Sequence, residues 1–301
     1  MSSFQEGFLW TPHGTQEGLE TDALQKGSSA IHDTYDVIVI GAGFAGLIAV
    51  RELQKLNLRV LLVEARGRIG GRTWTAKVLG EQLEMGGTWV HWAQPHLYSE
   101  LRRYGLHSGL KMSGGTAVPE RISFKSTRGL PQNLSTEKVG EILDRVAQAF
   151  FSIDGHDSRD LLPYPHDPFR EPALWKNYDH LSVRDRLDLL EEFTQYEKDL
   201  FESNVSTFGS APGKDIAFTE ALRWYALGGH NMASLFEMAG IYKLGKGGMT
   251  SFAQAILDEF TGDLLFNTTV EEVNHSVSNV QVVTNRGRVL KSKAVISTIP
   301  L

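Results

Sequence analysis

The chain has 301 residues, enough for one large or two ordinary domains, and its 41% hydrophobic and 22% charged residues suit a globular protein with a real core. Its net charge of −6, with no basic run, argues against a nucleic-acid partner, and the absence of cysteine excludes disulfides, thiolate catalysis, cysteine-ligated zinc and a cysteinyl cofactor link. No apolar run approaches the ~20 residues of a membrane helix, and the polar N-terminus lacks a signal-peptide core, so the reading is a soluble intracellular protein.

In chain order, residues 1–34 predict an extended arm with little to bury. Order begins at Asp36-Val37-Ile38-Val39-Ile40, a continuous apolar run that suits a parallel strand buried on both faces. Helical spacing over Phe44–Leu56 and a second buried strand over Leu58–Glu64 complete a βαβ unit. Short strands follow over Leu79–Val90, turning at Gly80 and at Gly86-Gly87, then a helix over Pro95–Tyr104. From about 110 to 245 the character changes to helices, at Glu137–Phe151, Val183–Phe201, Asp215–Leu227 and Met232–Ala239, with a proline cluster from Pro163 to Pro172. After Gly247-Gly248 a helix over Thr250–Phe260 leads into strands at Leu264–Phe266, Val270–Val277, Val280–Thr284 and Ala294–Thr298. The fold class is α/β: a Rossmann-like nucleotide-binding domain with an inserted helix-rich α+β domain. The boundaries are 1–34 for the arm, 35–110 and 245–301 for the two parts of the first domain, and 111–244 for the insertion.

Gly41-Ala42-Gly43-Phe44-Ala45-Gly46 has the context that gives G-x-G-x-x-G meaning: a buried strand before it, a helix after it, and an acid, Glu64, about 20 residues on. Gly41 permits the tight turn, Gly43 lets backbone N–H groups approach a pyrophosphate, and Gly46 lets helix and strand pack closely. The helix N-terminus offers partial positive charge to the phosphates, and Glu64 suits ribose hydroxyls. In Glu64-Ala65-Arg66-Gly67-Arg68-Ile69-Gly70-Gly71-Arg72, three arginines among glycines suit phosphate oxygens, Arg72 above all.

Together with Glu84-Met85-Gly86-Gly87-Thr88-Trp89-Val90-His91-Trp92, Leu162–Asp167 and Ser297–Leu301, these motifs make the chain resemble the flavin-containing amine oxidases, most of all the fungal monoamine oxidase N type, from about residue 8 to the end. The resemblance implies non-covalent FAD, with Gly41 to Gly46 on the pyrophosphate and Glu64 on the adenosine ribose. Ala65, Arg66, Gly71 and Arg72 would line the nucleotide and ribityl path. Gly87, Thr88 and Trp89 would lie by the flavin, Trp89 or Trp92 would edge the substrate cavity, and the Val270 backbone would meet adenine. It implies oxidation of a small primary or secondary amine to an imine, O2 going to H2O2, with the insertion as substrate domain. A cytoplasmic or peroxisomal location and a homo-oligomer are further expectations.

Family members are longer than this chain, and it stops directly after an apolar strand. The resemblance therefore places the second flavin-contacting segment, the paired aromatics facing the flavin and the lysine whose bound water sits near flavin N5 in a part this sequence lacks, so no catalytic residue is assigned. Three other readings stand beside the amine oxidase: a truncated, non-catalytic relative that keeps the FAD-binding fold, a partial sequence of a longer product, and another flavin oxidoreductase such as a desaturase or amino-acid oxidase. Gly240–Gly247 nearly matches a P-loop but has Gly247 where Ser or Thr should ligate Mg²⁺; a Gly-rich entry to the following helix accounts for it. The histidines are scattered without metal-ligand spacing, so no metal is expected.

Overall fold

The computed structural model describes residues 7–112, 121–127, 129–276 and 279–300. Its elements, in order, are β1 (Phe8–Thr11), β2 (Gly14–Glu17), β3 (Thr34–Ile40), α1 (Phe44–Gln54), β4 (Val60–Val63), β5 (Thr75–Val78), β6 (Glu81–Glu84), α2 (Pro95–Arg103), β7 (Leu110–Met112), β8 (Arg121–Phe124), β9 (Gln132–Ser135) and α3 (Thr136–Phe150). Then follow α4 (Ser158–Leu161), α5 (Val183–Asp188), α6 (Gln195–Gly209), α7 (Phe218–Leu227), α8 (Met232–Gly240), β10 (Tyr242–Leu244), α9 (Gly248–Leu257), β11 (Asp263–Leu265), β12 (Val270–His275), β13 (Val280–Thr284) and β14 (Val289–Ser297). They gather into two compact units, Met1–Val90 with Gln94–Lys111 and Lys243–Leu301, and His91–Ala93 with Met112–Tyr242.

The first unit is built on a six-stranded sheet in the order β11-β4-β3-β14-β13-β12. β11, β4, β3 and β14 run parallel, whereas β13 pairs antiparallel with β14 and β12 antiparallel with β13. Alternation along β3 explains its continuous apolar sequence. Val37 and Val39 pack with Leu47 and Val50 of α1 and Phe252 and Ile256 of α9, while Ile38 and Ile40 pack with Leu61, Val63, Val282 and Leu290 on the other face. β3 therefore lies between two parallel neighbours whose connections leave in opposite directions, the switch point at which open α/β sheets bind ligands beyond the carboxyl ends of their strands.

Three expectations change. The arm does bury something: Ala23 is fully buried, its carbonyl accepts from Ile69 N–H at 3.0 Å, and Gln25 N–H donates to Gly67 O at 2.9 Å, so residues 23–25 fasten the arginine-rich loop. The strands around Gly80 form a hairpin, β5 on β6, whose turn residues Leu79 and Gly80 both have positive φ and so lie outside the strands. The helix expected over 183–201 is two helices, because Thr194 and Glu197 form a capping box that starts α6 afresh. Val277, the expected end of its strand, lies outside the described residues.

The second unit is helical, with the β8–β9 hairpin beside α3 to α8. Its core is aromatic: Phe150, Phe201 and Phe218 are fully buried, and Phe151 stacks on Tyr225 at 4.2 Å. Arg186 is buried too, and donates to the carbonyls of Ala149, Phe150 and Ser152 at the end of α3, where a cation meets the negative pole of the helix.

Candidate functional site

A cleft of about 600 Å³ opens in the first unit at the carboxyl ends of β3, β4 and β14. Gly41, Gly43, Phe44, Ala45, Glu64, Ala65, Arg66, Gly71, Arg72 and Val270 line it, gathered from three stretches of sequence. Ala42 and Gly46, both buried, stand behind its wall. Gly87, Thr88 and Trp89 do not line it. Residues 85–87 pair with 72–74 through Met85 N–H to Trp74 O and Gly87 N–H to Arg72 O, and residues 72–74 are themselves the wall, so of that stretch only Met85 reaches the cleft. Trp89 is 41% exposed in the first unit. Trp92 belongs to the second, its ring 4.9 Å from that of Tyr242.

The glycines of the motif differ in what requires them. Gly41 has φ of +106°, and a Cβ there would stand 2.6 Å from Thr298 Oγ1; a Cβ on Gly46 would run into the Gly41 carbonyl. Backbone packing alone demands both. Gly43 has φ of −76°, and the nearest atom to a Cβ on it is Gly71 Cα at 3.9 Å. No other atom of the described residues comes within 4 Å of a Cβ there, so the space beside Gly43 is left open towards the cleft. Gly43 is also the N-cap of α1, a helix whose start has no side-chain cap and no acid in its first turn. Its orphan N–H groups and dipole face an anion site that the chain leaves open.

Around this helix end the charges are sorted. Glu64 is buried, and its two carboxylate oxygens accept from Ala42 N–H at 2.7 Å and Arg66 N–H at 2.8 Å. Each oxygen keeps a further lone pair for a hydroxyl donor. Arg68 is a fastening rather than a ligand group: it is buried over Trp74 and donates to Gly71 O at 2.8 Å. The Arg72 guanidinium is exposed on the cleft wall and has no hydrogen bond or ion pair among the described residues. An open helix N-terminus, an uncommitted guanidinium and a carboxylate with spare acceptors fit a nucleoside diphosphate, the diphosphate at Gly43 and the ribose at Glu64.

The P-loop look-alike has the opposite arrangement. At the start of α9 the carboxylate of Glu84 accepts from Met249 N–H at 3.0 Å and from Thr75 Oγ1 at 3.2 Å, and Gln82 Oε1 accepts from Gly247 N–H. That helix end is closed by the chain's own side chains. Burial pushes the Glu84 carboxyl up from its ordinary value against the pull of these bonds.

Sequence reasoning missed Thr73, Trp74, Thr268, Thr269 and Thr298, which also line the cleft. Thr268 and Thr269 immediately precede Val270, and Thr298 lies in the stretch Ser297–Leu301 already singled out, so position beside a recognised motif was the available signal.

Comparison with known proteins follows the same line. The chain matches the model of the family described as flavin containing amine oxidoreductase over residues 44–301. It is 34% identical to a pseudooxynicotine dehydrogenase of Pseudomonas sp over 267 residues, 89% of this chain and 52% of that one. It is 31% identical to a nicotine dehydrogenase of Pseudomonas putida over 268 residues, 89% and 53% of the two. A solved structure of putrescine oxidase bound to putrescine superposes with a TM-score of 0.67 at 23% identity, covering 89% of this chain and 58% of that one, which shows the fold. The chain spans about half the length of the curated relatives it matches.

Proposed function

The chain belongs to the flavin containing amine oxidoreductase family, and we propose that its cleft holds FAD non-covalently, as in the fungal type, for the oxidation of a small primary or secondary amine to an imine. The observation that carries this is the convergence of Gly43, Glu64 and Arg72 on one cleft at the switch point of the sheet. The bare start of α1 and Arg72 bind the pyrophosphate, Glu64 takes the adenosine ribose, Ala65, Arg66 and Gly71 border the nucleotide path, and the Val270 backbone meets adenine. Gly87, Thr88 and Trp89 lie along the path towards the flavin, Trp89 or Trp92 borders the amine, and the helical unit is the substrate domain. When bound, the flavin supplies the acceptor for the hydride of the amine α-carbon and passes the electrons to O2. The residues named here bind and orient, and none is asked to move a proton.

A second reading concerns the electron acceptor, since two of the relatives are called dehydrogenases. The test of both is to purify the chain, titrate it with FAD while following the visible spectrum, and then offer a panel of small amines with O2 or with an artificial dye as acceptor. Saturable one-to-one binding and peroxide release are expected. Dye reduction without peroxide selects the dehydrogenase reading. Failure to bind FAD overturns the assignment of the cleft.

A further inference from the structure

Thr298 follows β14, whose parallel pairing with β3 sets Ser297 level with Ile40. Its backbone N–H donates to Ile40 O at 2.9 Å, and its hydroxyl donates to the same carbonyl at 2.8 Å and lies 3.4 Å from Gly41 O. The hydroxyl fills the notch that two glycines of the motif leave, since a Cβ would stand 2.6 Å from it on Gly41 and 3.2 Å from it on Gly46. A peptide is planar, with its C=O and N–H directed oppositely. In the Gly41–Ala42 peptide the C=O is wedged between Thr298 and Gly46, and the N–H is tethered to Glu64 Oε2 at 2.7 Å. Held at both ends, this peptide cannot flip, and the amides that follow it, Gly43 and the first turn of α1, start from a fixed plane.

We propose that Thr298 is a positioning residue for the phosphate loop, acting through the Ile40–Gly41–Ala42 backbone. The inference rests on the FAD reading above. The hydroxyl proton is committed to Ile40 O, so it has none to give a phosphate; its effect on the ligand runs through the loop.

The test compares Thr298→Val and Thr298→Ala, which remove the hydroxyl, with Thr298→Ser, which keeps it, in the full chain. FAD and ADP are titrated separately, and the unfolding midpoint of each ligand-free protein is measured. Losing one hydrogen bond that orders the site should weaken both ligands by roughly three- to tenfold, by the same factor for each because the loop meets only the shared diphosphate, and Thr298→Ser should restore affinity. If the hydroxyl merely stabilised the sheet end, Val and Ala would lower the midpoint and leave both dissociation constants at the wild-type value, which overturns the proposal. If Val does not fold, the comparison of Ala with Ser decides. If the unaltered chain binds neither ligand, the FAD reading itself falls; if it binds both and the variants match it, only the role of Thr298 does.

Discussion

A Cβ on Gly46 would collide with backbone, whereas a Cβ on Gly43 would meet nothing closer than 3.9 Å. The two alanine variants should therefore fail in different ways. Gly46→Ala should lose about 1–3 kcal/mol of stability, the range for forced overpacking, whether or not ligand is present. Gly43→Ala should change ligand-free stability by less than about 1 kcal/mol, yet weaken FAD at least tenfold by holding the pyrophosphate away from the amides. Urea denaturation of the ligand-free proteins and an FAD titration separate the two effects. Wild-type affinity in Gly43→Ala would mean that the ligand does not approach this residue. The roles given to Gly41 and Gly46 were legible in the sequence because they are local and backbone-driven. Among the arginines Arg72 was already favoured from the sequence; the fastening role of Arg68 was not legible, because the two differ only in what surrounds them: Trp74 and a carbonyl for Arg68, solvent for Arg72.

At the scale of elements, charges are matched to helix ends and to loops. Asp199 of α6 accepts from Ser126 Oγ at 2.6 Å, Gln195 Nε2 at 2.6 Å and Thr127 Oγ1 at 2.8 Å, and so pins residues 126–127 to the helix. Burial alone would raise its carboxyl; the bonds from Ser126, Gln195 and Thr127 overcome that and bring it down to about 2 from 3.8. The folded value lies below the unfolded one. The contribution, about 2 kcal/mol, is therefore complete above pH ~4 and is lost as pH falls towards ~2. Asp199→Asn should be less stable by about 1–2 kcal/mol at neutral pH, and its stability should fall less steeply than that of the unaltered chain between pH 4 and 2, as followed by urea denaturation at each pH. Equal slopes would show that Asp199 does not titrate as argued. The break between α5 and α6 was itself readable, since Ser182 with Asp185 and Thr194 with Glu197 both spell capping boxes; the apolar spacing that runs across the gap obscured it. Glu84 was not readable, because it closes the start of α9, 165 residues along the chain from it.

For the molecule as a whole, what the sequence conveyed best was the parallel βαβ start, where strand, turn and helix are neighbours in the chain. It conveyed least well what the sheet order assembles from afar: β14 beside β3 brings Thr298 to Gly41, and residues 268–270 come to the cleft from beyond β11. That assembly has a thermodynamic consequence. On the proposed reading the residues that converge on the cleft take a ribose and two phosphates, so the adenosine half of the ligand should suffice for binding energy to appear as stability. By mass action a ligand at 100 times its dissociation constant adds about 2.7 kcal/mol to the folded state, which for a chain of this size raises the unfolding midpoint by about 5 °C. ADP should produce such a shift in thermal unfolding. FMN, which carries the flavin but neither the adenosine nor the second phosphate, should leave the midpoint where it was. A shift with FMN as large as with ADP would put the recognition at the flavin end and remove Glu64 and the start of α1 from it. A shift with ADP that disappears in Gly43→Ala would tie the stabilisation to the same amides that the motif presents.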